Sequence, residues 1–318
     1  MGYLHIDNLY KNTEILMFKE CYALEKIHGT SAHISFSRKR QMVFGPIPGI
    51  NEGAKVYTDE EWQQHWPDEV KITFFAGGVS HENFVQLFNK EELEKAYRES
   101  GIKDLTIYGE AYGGKCQGMS KTYGVPLKFV AFDVRVGEYC WLSVPDAENL
   151  VKSFNLEFVS YERIPAIVES IIWEKDKDSV QAVRNGMGAG HKREGVVLRP
   201  LIEVKKNNGA RIIAKHKHDD FRETKTVREI SPEALQVITD ANKIADEWVV
   251  PMRIQHVLQK FPKPFDITQM GDFIRAMLAD VEREAGSEIV LSQEAKKAIS
   301  TRTATMIKQN LKDYLGTL

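Results

Sequence analysis

Up to about residue 225 short strand-like segments alternate with helical stretches, and after residue 230 strand alternation is nearly absent. The first stretch holds short segments rich in β-branched and aromatic residues: "CYALEKI", "SAHISFS", "LTIYGEAY", "KFVAFDVRV", "EGVVLRP" and "ARIIAKHK". Between them "HENFVQLFNKEELEKAYRES" reads as helix, as does "PDAENLVKSFN", which opens with a proline and acidic residues suited to a helix start. Glycine-rich "RNGMGAGHKRE" reads as a loop. Beyond residue 230, "SPEALQVITDANKIADEWV" begins with a serine cap and a proline at the first helical position. "DITQMGDFIRAMLADVEREAG" offers an Asp cap, spaces its apolar residues at three and four, and stops at a glycine; "SQEAKKAISTRTATMIKQNLKDYLG" repeats the pattern. The expected organisation is an α/β domain over residues 1–229 and a smaller all-helical domain over 230–318.

With 42% hydrophobic and 28% charged residues over 318 positions, the composition is that of a soluble globular protein with a packed core. No apolar run approaches the roughly 20 residues of a membrane span. The start, "MGYLHIDNLYKN", has neither the basic opening nor the apolar core of a secretory signal, and Ile6 stands where a myristoylation signal needs Ser or Thr. Three scattered cysteines (Cys21, Cys116 and Cys140) argue against a disulfide framework or a zinc cluster. A reducing, cytoplasmic compartment and no membrane partner are expected. The net charge of −2 conceals an asymmetry: between His191 and Arg228, eleven Lys and Arg face five Asp and Glu, a local +6 that attracts polyanions.

Five segments carry residues suited to phosphate chemistry. "EKIHGT" presents Lys26 between a carboxylate and a turn-forming glycine, and a deprotonated lysine is a nucleophile. "YGEAYGG" puts Glu110 near a strand end, where a carboxylate accepts hydrogen bonds from a sugar. "KFVAFDV" supplies Phe129 and Phe132, on opposite faces of a regular strand, and then Asp133, so that a ring stacks on a base while the carboxylate helps hold a hydrated metal. "REGVVLRP" gives Glu194, then Val197 on the other face and Arg199 beyond. In "AKHKHDD", Lys215 and Lys217 share a strand face, an arrangement that favours an anion between them. Taken singly, a lysine before a glycine turn is ordinarily a surface residue, and Phe132 is ordinarily core.

In this order, "EKIHGT", "YGEAYGG", "FVAFDV", "EGVVLRP" and "AKHK" resemble the motifs of the covalent nucleotidyltransferase superfamily of ATP-dependent DNA and RNA ligases and mRNA capping enzymes. The lysine-x-histidine-glycine form is most similar to the RNA ligase 2 family. The resemblance implies an α/β (α+β) nucleotidyltransferase domain with antiparallel sheets, followed by a small helical C-terminal domain that engages RNA. It implies that Lys26 attacks the α-phosphate of ATP, expels pyrophosphate and carries AMP. The AMP then passes to a 5′-phosphate on RNA, and a 3′-hydroxyl displaces it to seal the strand. By similarity Glu110 binds the ribose, Phe132 and Val197 enclose the adenine, and Glu194 and Asp133 serve a Mg2+ or Mn2+ site. Lys215 and Lys217 contact the α-phosphate. Arg199, where the family usually has lysine, keeps the charge with a planar fork. Glu25, Ile27, Ser31 and Arg40 complete the nucleotide-binding set.

The chain departs from the family pattern at Ser31, where an asparagine is common, and before the "FGPIPG" turn, where Val43 and Phe44 stand and Arg38 or Arg40 must supply the expected arginine. The superfamily's DNA ligases and capping enzymes continue into a barrel of alternating short strands, a pattern that residues 230–318 lack. The expectation is therefore a monomeric RNA ligase acting on 3′-OH and 5′-phosphate ends at nicks in duplex. The interval from Gly49 to Gly101 is expected to form a substrate-facing insertion. A DNA or RNA/DNA-hybrid ligase, or a non-catalytic nucleic-acid-binding relative, is the alternative.

Overall fold

Strand-forming segments fall where alternation is strongest in the computed structural model, which describes residues 2–39, 69–206, 208–221, 229–261, 267–286 and 288–315. Arg40 and the "FGPIPG" turn lie outside these residues. Strands β1 (Glu20–Lys26), β2 (Thr30–Lys39), β4 (Asp104–Tyr112), β5 (Lys128–Val136) and β8 (Gly195–Pro200) match the expected ones, and β3 (Glu69–Ala76), β6 (Cys140–Trp141) and β7 (Tyr161–Pro165) add to them. The expected "ARIIAKHK" strand shortens to β9 (Ala214–Lys217). The strands form two sheets, β7-β1-β8-β9 and β3-β2-β4-β5-β6, with every neighbouring pair antiparallel. The fold is thus mixed α and β with antiparallel sheets and helices at the C-terminal end.

The chain separates into two compact units, one of Met1–Tyr3, His28–Val159 and Asn185–Met187, the other of Leu4–Ile27, Ser160–Arg184 and Gly188–Leu318. The first contains the five-stranded sheet with helices α1 (His81–Val85), α2 (Lys90–Glu99), α3 (Ser120–Tyr123) and α4 (Val144–Ser153). The single helix expected over residues 81–100 breaks in two because the Asn89 side chain accepts from the amides of Glu91 and Glu92 and starts a new helix there. On β2, Ala32, Ile34 and Phe36 are buried. Phe36 packs against Tyr97 of α2 and against Phe154, which follows α4, each at 5.2 Å. Ser31, His33, Ser35 and Ser37 therefore project from the opposite face.

The second unit holds the four-stranded sheet, α5 (Val168–Lys175), α6 (Val180–Arg184), α7 (Pro232–Trp248), α8 (Pro251–Leu258), α9 (Met270–Ala285) and α10 (Gln293–Leu315). Cys21 and Ala23 of β1, Val196 and Leu198 of β8 and Ala214 of β9 form one core with Ile238 of α7. Ile238, beyond residue 230, thus packs with the strands of this sheet. The Asn242 side chain of α7 donates to the Leu16 carbonyl at 2.9 Å, and Lys308 of α10 donates to the Glu203 carbonyl at 2.6 Å. The helices also share a core of their own around Val257, Phe273, Met277 and Ile299. Helix α9 follows a 3-10 turn, Ile267–Gln269, and ends at Gly286 as expected, while the proposed Asp266 cap lies outside the described residues. Among the described residues no helix is long and apolar enough to cross a membrane.

Arg211 contributes to an ion cluster that precedes β9. Glu203 accepts from Arg199 Nε at 3.0 Å and from Arg211 Nε at 3.0 Å, and both arginines are buried. A carboxylate shared by two buried guanidinium groups is costly to remove, because both lose a charge-assisted partner at once. Glu203→Ala is expected to lower unfolding stability by roughly 3–5 kcal/mol, read from urea denaturation. A loss under about 1 kcal/mol would show that solvent replaces the carboxylate without penalty.

Candidate active site

Lys26 ends β1, and the register sets it directly opposite Gly195 of β8, which in turn stands opposite Lys217 of β9. Cross-strand neighbours project to the same face, so two lysines flank a residue with no side chain. Gly195 has φ +150°, and a β-carbon there would lie 2.2 Å from the His216 carbonyl oxygen. Only glycine fits that spacing. Glu194, just ahead of β8, accepts Lys26 Nζ at 2.8 Å on Oε2 and Lys217 Nζ at 3.0 Å on Oε1. Its side chain is only 3% exposed, so each ammonium group meets a carboxylate oxygen that is shielded from water. The next row of the same face carries Leu24, Val197 and Lys215. The Lys215 backbone is bonded by the Asp7 carbonyl and the Leu9 amide, which fixes the free edge of β9.

Two members of the expected set stand apart from this group. Glu25 precedes Lys26 on the strand and so points to the other face, where it accepts from the Ser179 hydroxyl and from the amides of Val180 (3.0 Å) and Gln181 (3.3 Å) at the start of α6. Burial pushes its carboxyl up, opposed by the Ser179 hydrogen bond and the Arg193 charge. Arg199 shares the Lys26 face but is 1% exposed, with its guanidinium committed to Glu203. Ile27 is buried just past the end of β1. Cys21 is no competing nucleophile, since burial pushes its thiol up to about 12.

In the other unit, Gly29 donates its amide to Glu110 Oε1 at 3.2 Å. A β-carbon at Gly29 would come within 2.3 Å of the Ala111 carbonyl oxygen, so the "HGT" turn lies flat against β4. Ser31 is the cross-strand partner of Glu110, and its hydroxyl is buried without a hydrogen-bond partner. That orphaned group, next to a carboxylate, suits a ligand with hydroxyls to share, such as a ribose. Phe132 is the extra residue of a β-bulge: Asp133 pairs with Tyr108 and Ala131 with Gly109. Tyr3, which carries no local signal in the sequence, meets the Phe132 ring edge-on at 4.9 Å and donates its hydroxyl to Asp133 Oδ2 at 2.6 Å. The other Asp133 oxygen accepts the Val134 amide at 2.9 Å.

The donor set suits a nucleotide better than a metal held by protein alone. Lys26, Lys215 and Lys217 lie on one sheet face beside Glu194, a grouping of cations of the kind that suits a phosphate. Among the described residues no group of three or more His, Cys, Asp and Glu is placed to hold a metal ion. A divalent ion at such a site takes most of its ligands from phosphate oxygens and water.

The sequence was compared with known proteins and structures. A family model described as RNA ligase matches residues 19–217, from the start of β1 through the last residue of β9. No curated protein matches the sequence. Similar solved structures include an RNA ligase of Naegleria gruberi, as a mutant with ATP and Mn, at 13% identity and a TM-score of 0.46, covering 70% of this chain and 56% of that one. A second mutant of it, with AMP and Mn, matches at 13% identity, TM-score 0.45, over 70% and 57% of the two chains. The same enzyme with PPi matches at 14% identity, TM-score 0.45, with the same coverage of 70% and 57%. This chain therefore spans little more than half the length of that ligase. With the family model covering more than half of the sequence, the chain belongs to the RNA ligase family.

Proposed function

We propose that the protein is an ATP-dependent RNA ligase that joins 3′-OH and 5′-phosphate ends through a lysyl-AMP and an RNA-adenylate, with Lys26 as nucleophile. The observation that carries this reading is the shared carboxylate, with Glu194 between Lys26 and Lys217 on one sheet face. Membership of the RNA ligase family and the order of the five motifs support it.

In the first step the Lys26 amine forms a bond to the α-phosphorus as the bond to pyrophosphate breaks. Lys26 must lose a proton to attack, and Glu194 Oε2, at 2.8 Å, is the atom positioned to take it. Lys217 and Lys215 meet the charge on the phosphate oxygens, so catalysis is mostly positioning and neutralisation. Glu110 takes the ribose, and Phe132 and Val197 take the adenine. When bound, Mg2+ or Mn2+ would shield the charge of the triphosphate; Glu194 in one unit and Asp133 in the other are each candidate carboxylates for such an ion. In the second step an oxygen of the RNA 5′-phosphate displaces Lys26 from the AMP. In the third, the 3′-hydroxyl attacks that 5′-phosphate and AMP leaves. A monomer acting on nicked duplex RNA is the substrate geometry we favour, with the helices from α7 onward engaging the RNA.

Incubation with α-labelled ATP and magnesium should leave an acid-labile label on the wild-type protein and none on Lys26→Ala. Glu194→Gln is expected to reduce labelling by roughly 100-fold or more, with Lys217→Ala similar. Unlabelled wild type, in folded protein free of pre-bound AMP, would overturn the ligase reading and leave a nucleic-acid-binding relative. A second comparison sets substrate choice: a nicked RNA duplex should seal at least 10-fold faster than the same nick in DNA. Equal or faster sealing of DNA or hybrid nicks would reassign the substrate.

A further inference from the structure

Strand β3 is the edge of the five-stranded sheet, and its exposed residues, Glu69, Lys71, Thr73 and Phe75, alternate with partly buried Val70, Ile72, Phe74 and Ala76. Phe75 is 44% exposed although it is a large apolar side chain. One side of its ring is stacked on His33 of β2, with centroids 5.0 Å apart and planes 25° from parallel. The register continues the row from Phe75 to His33, Tyr108 and Asp133. His33 is 7% exposed, and its Nδ1 is buried with no hydrogen-bond partner. Two residues back along the same face stands Ser31, opposite Glu110 and also orphaned.

We infer that Phe75, backed by His33, is a nucleobase-stacking subsite for the RNA strand whose end is sealed, an assignment that rests on the RNA ligase reading above. Three features favour RNA as the occupant. The ring offers a flat apolar face in an otherwise polar row, and such a platform accepts any base. Thr73 and Lys71 continue the same exposed face about 7 and 13 Å farther along β3, supplying a hydroxyl and an ammonium group for a sugar-phosphate backbone. The subsite lies about 7 Å along β2 from the Ser31–Glu110 pair, so one strand reaches both. Burial pushes the His33 imidazole down to about 4, helped by the Arg135 charge, so the ring beneath Phe75 is neutral at pH 7.

The test separates ATP chemistry from RNA engagement in the full chain. Phe75→Ala should label with ATP within about 2-fold of wild type, yet seal pre-adenylated RNA with a KM raised roughly 10-fold. Phe75→Tyr should restore sealing, because it keeps the ring. With 2-aminopurine at successive positions from the sealed end, wild type should quench one position, and Phe75→Ala should not. RNA affinity and quenching unchanged in Phe75→Ala would overturn the subsite. Equal losses of labelling and sealing, or failure of Phe75→Tyr to recover, would overturn it too, by showing that Phe75 supports the fold alone. A wild type that neither labels nor seals would instead sink the ligase reading.

Discussion

Burying the Glu194 carboxylate between ammonium groups is tolerable because both of its oxygens are used, Oε2 by Lys26 and Oε1 by Lys217. That ion pair depends on three strands lying in one register, since Lys26, Gly195 and Lys217 come from β1, β8 and β9. A slip of one residue would turn Lys26 of β1 or Lys217 of β9 to the core face, and would take Cys21 and Ala23 of β1, Val196 and Leu198 of β8 or Ala214 of β9 out of the core. The apolar residues on one face of the sheet thus fix the charges on the other. Packing also extends this dependence to the helices, because Ile238 of α7 closes the same core.

Much of this is legible in the sequence. β-branched alternation locates the principal strands, and the serine cap and proline locate α7 to the residue. The neighbourhood of Lys26, Lys217 and Glu194 follows from strand ends that the sequence marks, because each of these charges stands at the end of an apolar run. What stays hidden are contacts between residues far apart in the chain. Tyr3 reaches Asp133 across 130 positions, and Ser179 reaches Glu25 across 154. No local pattern announces such pairs, since a tyrosine or a serine near a turn is unremarkable by itself.

Adjacent residues on a strand also acquire unlike roles, which a motif written as a string conceals. "EK" reads as one unit, yet Glu25 caps α6 on the core side while Lys26 meets Glu194 on the opposite face. Arg199 gives the reverse lesson. It stands on the Lys26 face at the position where the family has a lysine, and Glu203 four residues later holds it. The carboxylate that engages Arg199, Glu203, lies outside the five motifs.

The bulge in β5 shows how one extra residue alters chemistry. In a regular strand Phe129, Ala131 and Asp133 would share a face, and Phe129 packs on Phe84 and Phe88 beneath the sheet at 5.7 and 5.5 Å. An aspartate on that face would be buried among aromatic rings with no donor to meet it. Because Phe132 is left out of the pairing, Asp133 moves to the face of Tyr108 instead. There Tyr3 supplies the hydroxyl that the buried carboxylate needs. The same shift carries Arg135 to that face, over the rings of Tyr108 and Trp141 at 5.7 and 5.8 Å. A single unpaired residue therefore lets the strand pack phenyl rings below the sheet and charged groups above it, although the plain two-residue period of "KFVAFDVRV" puts them together.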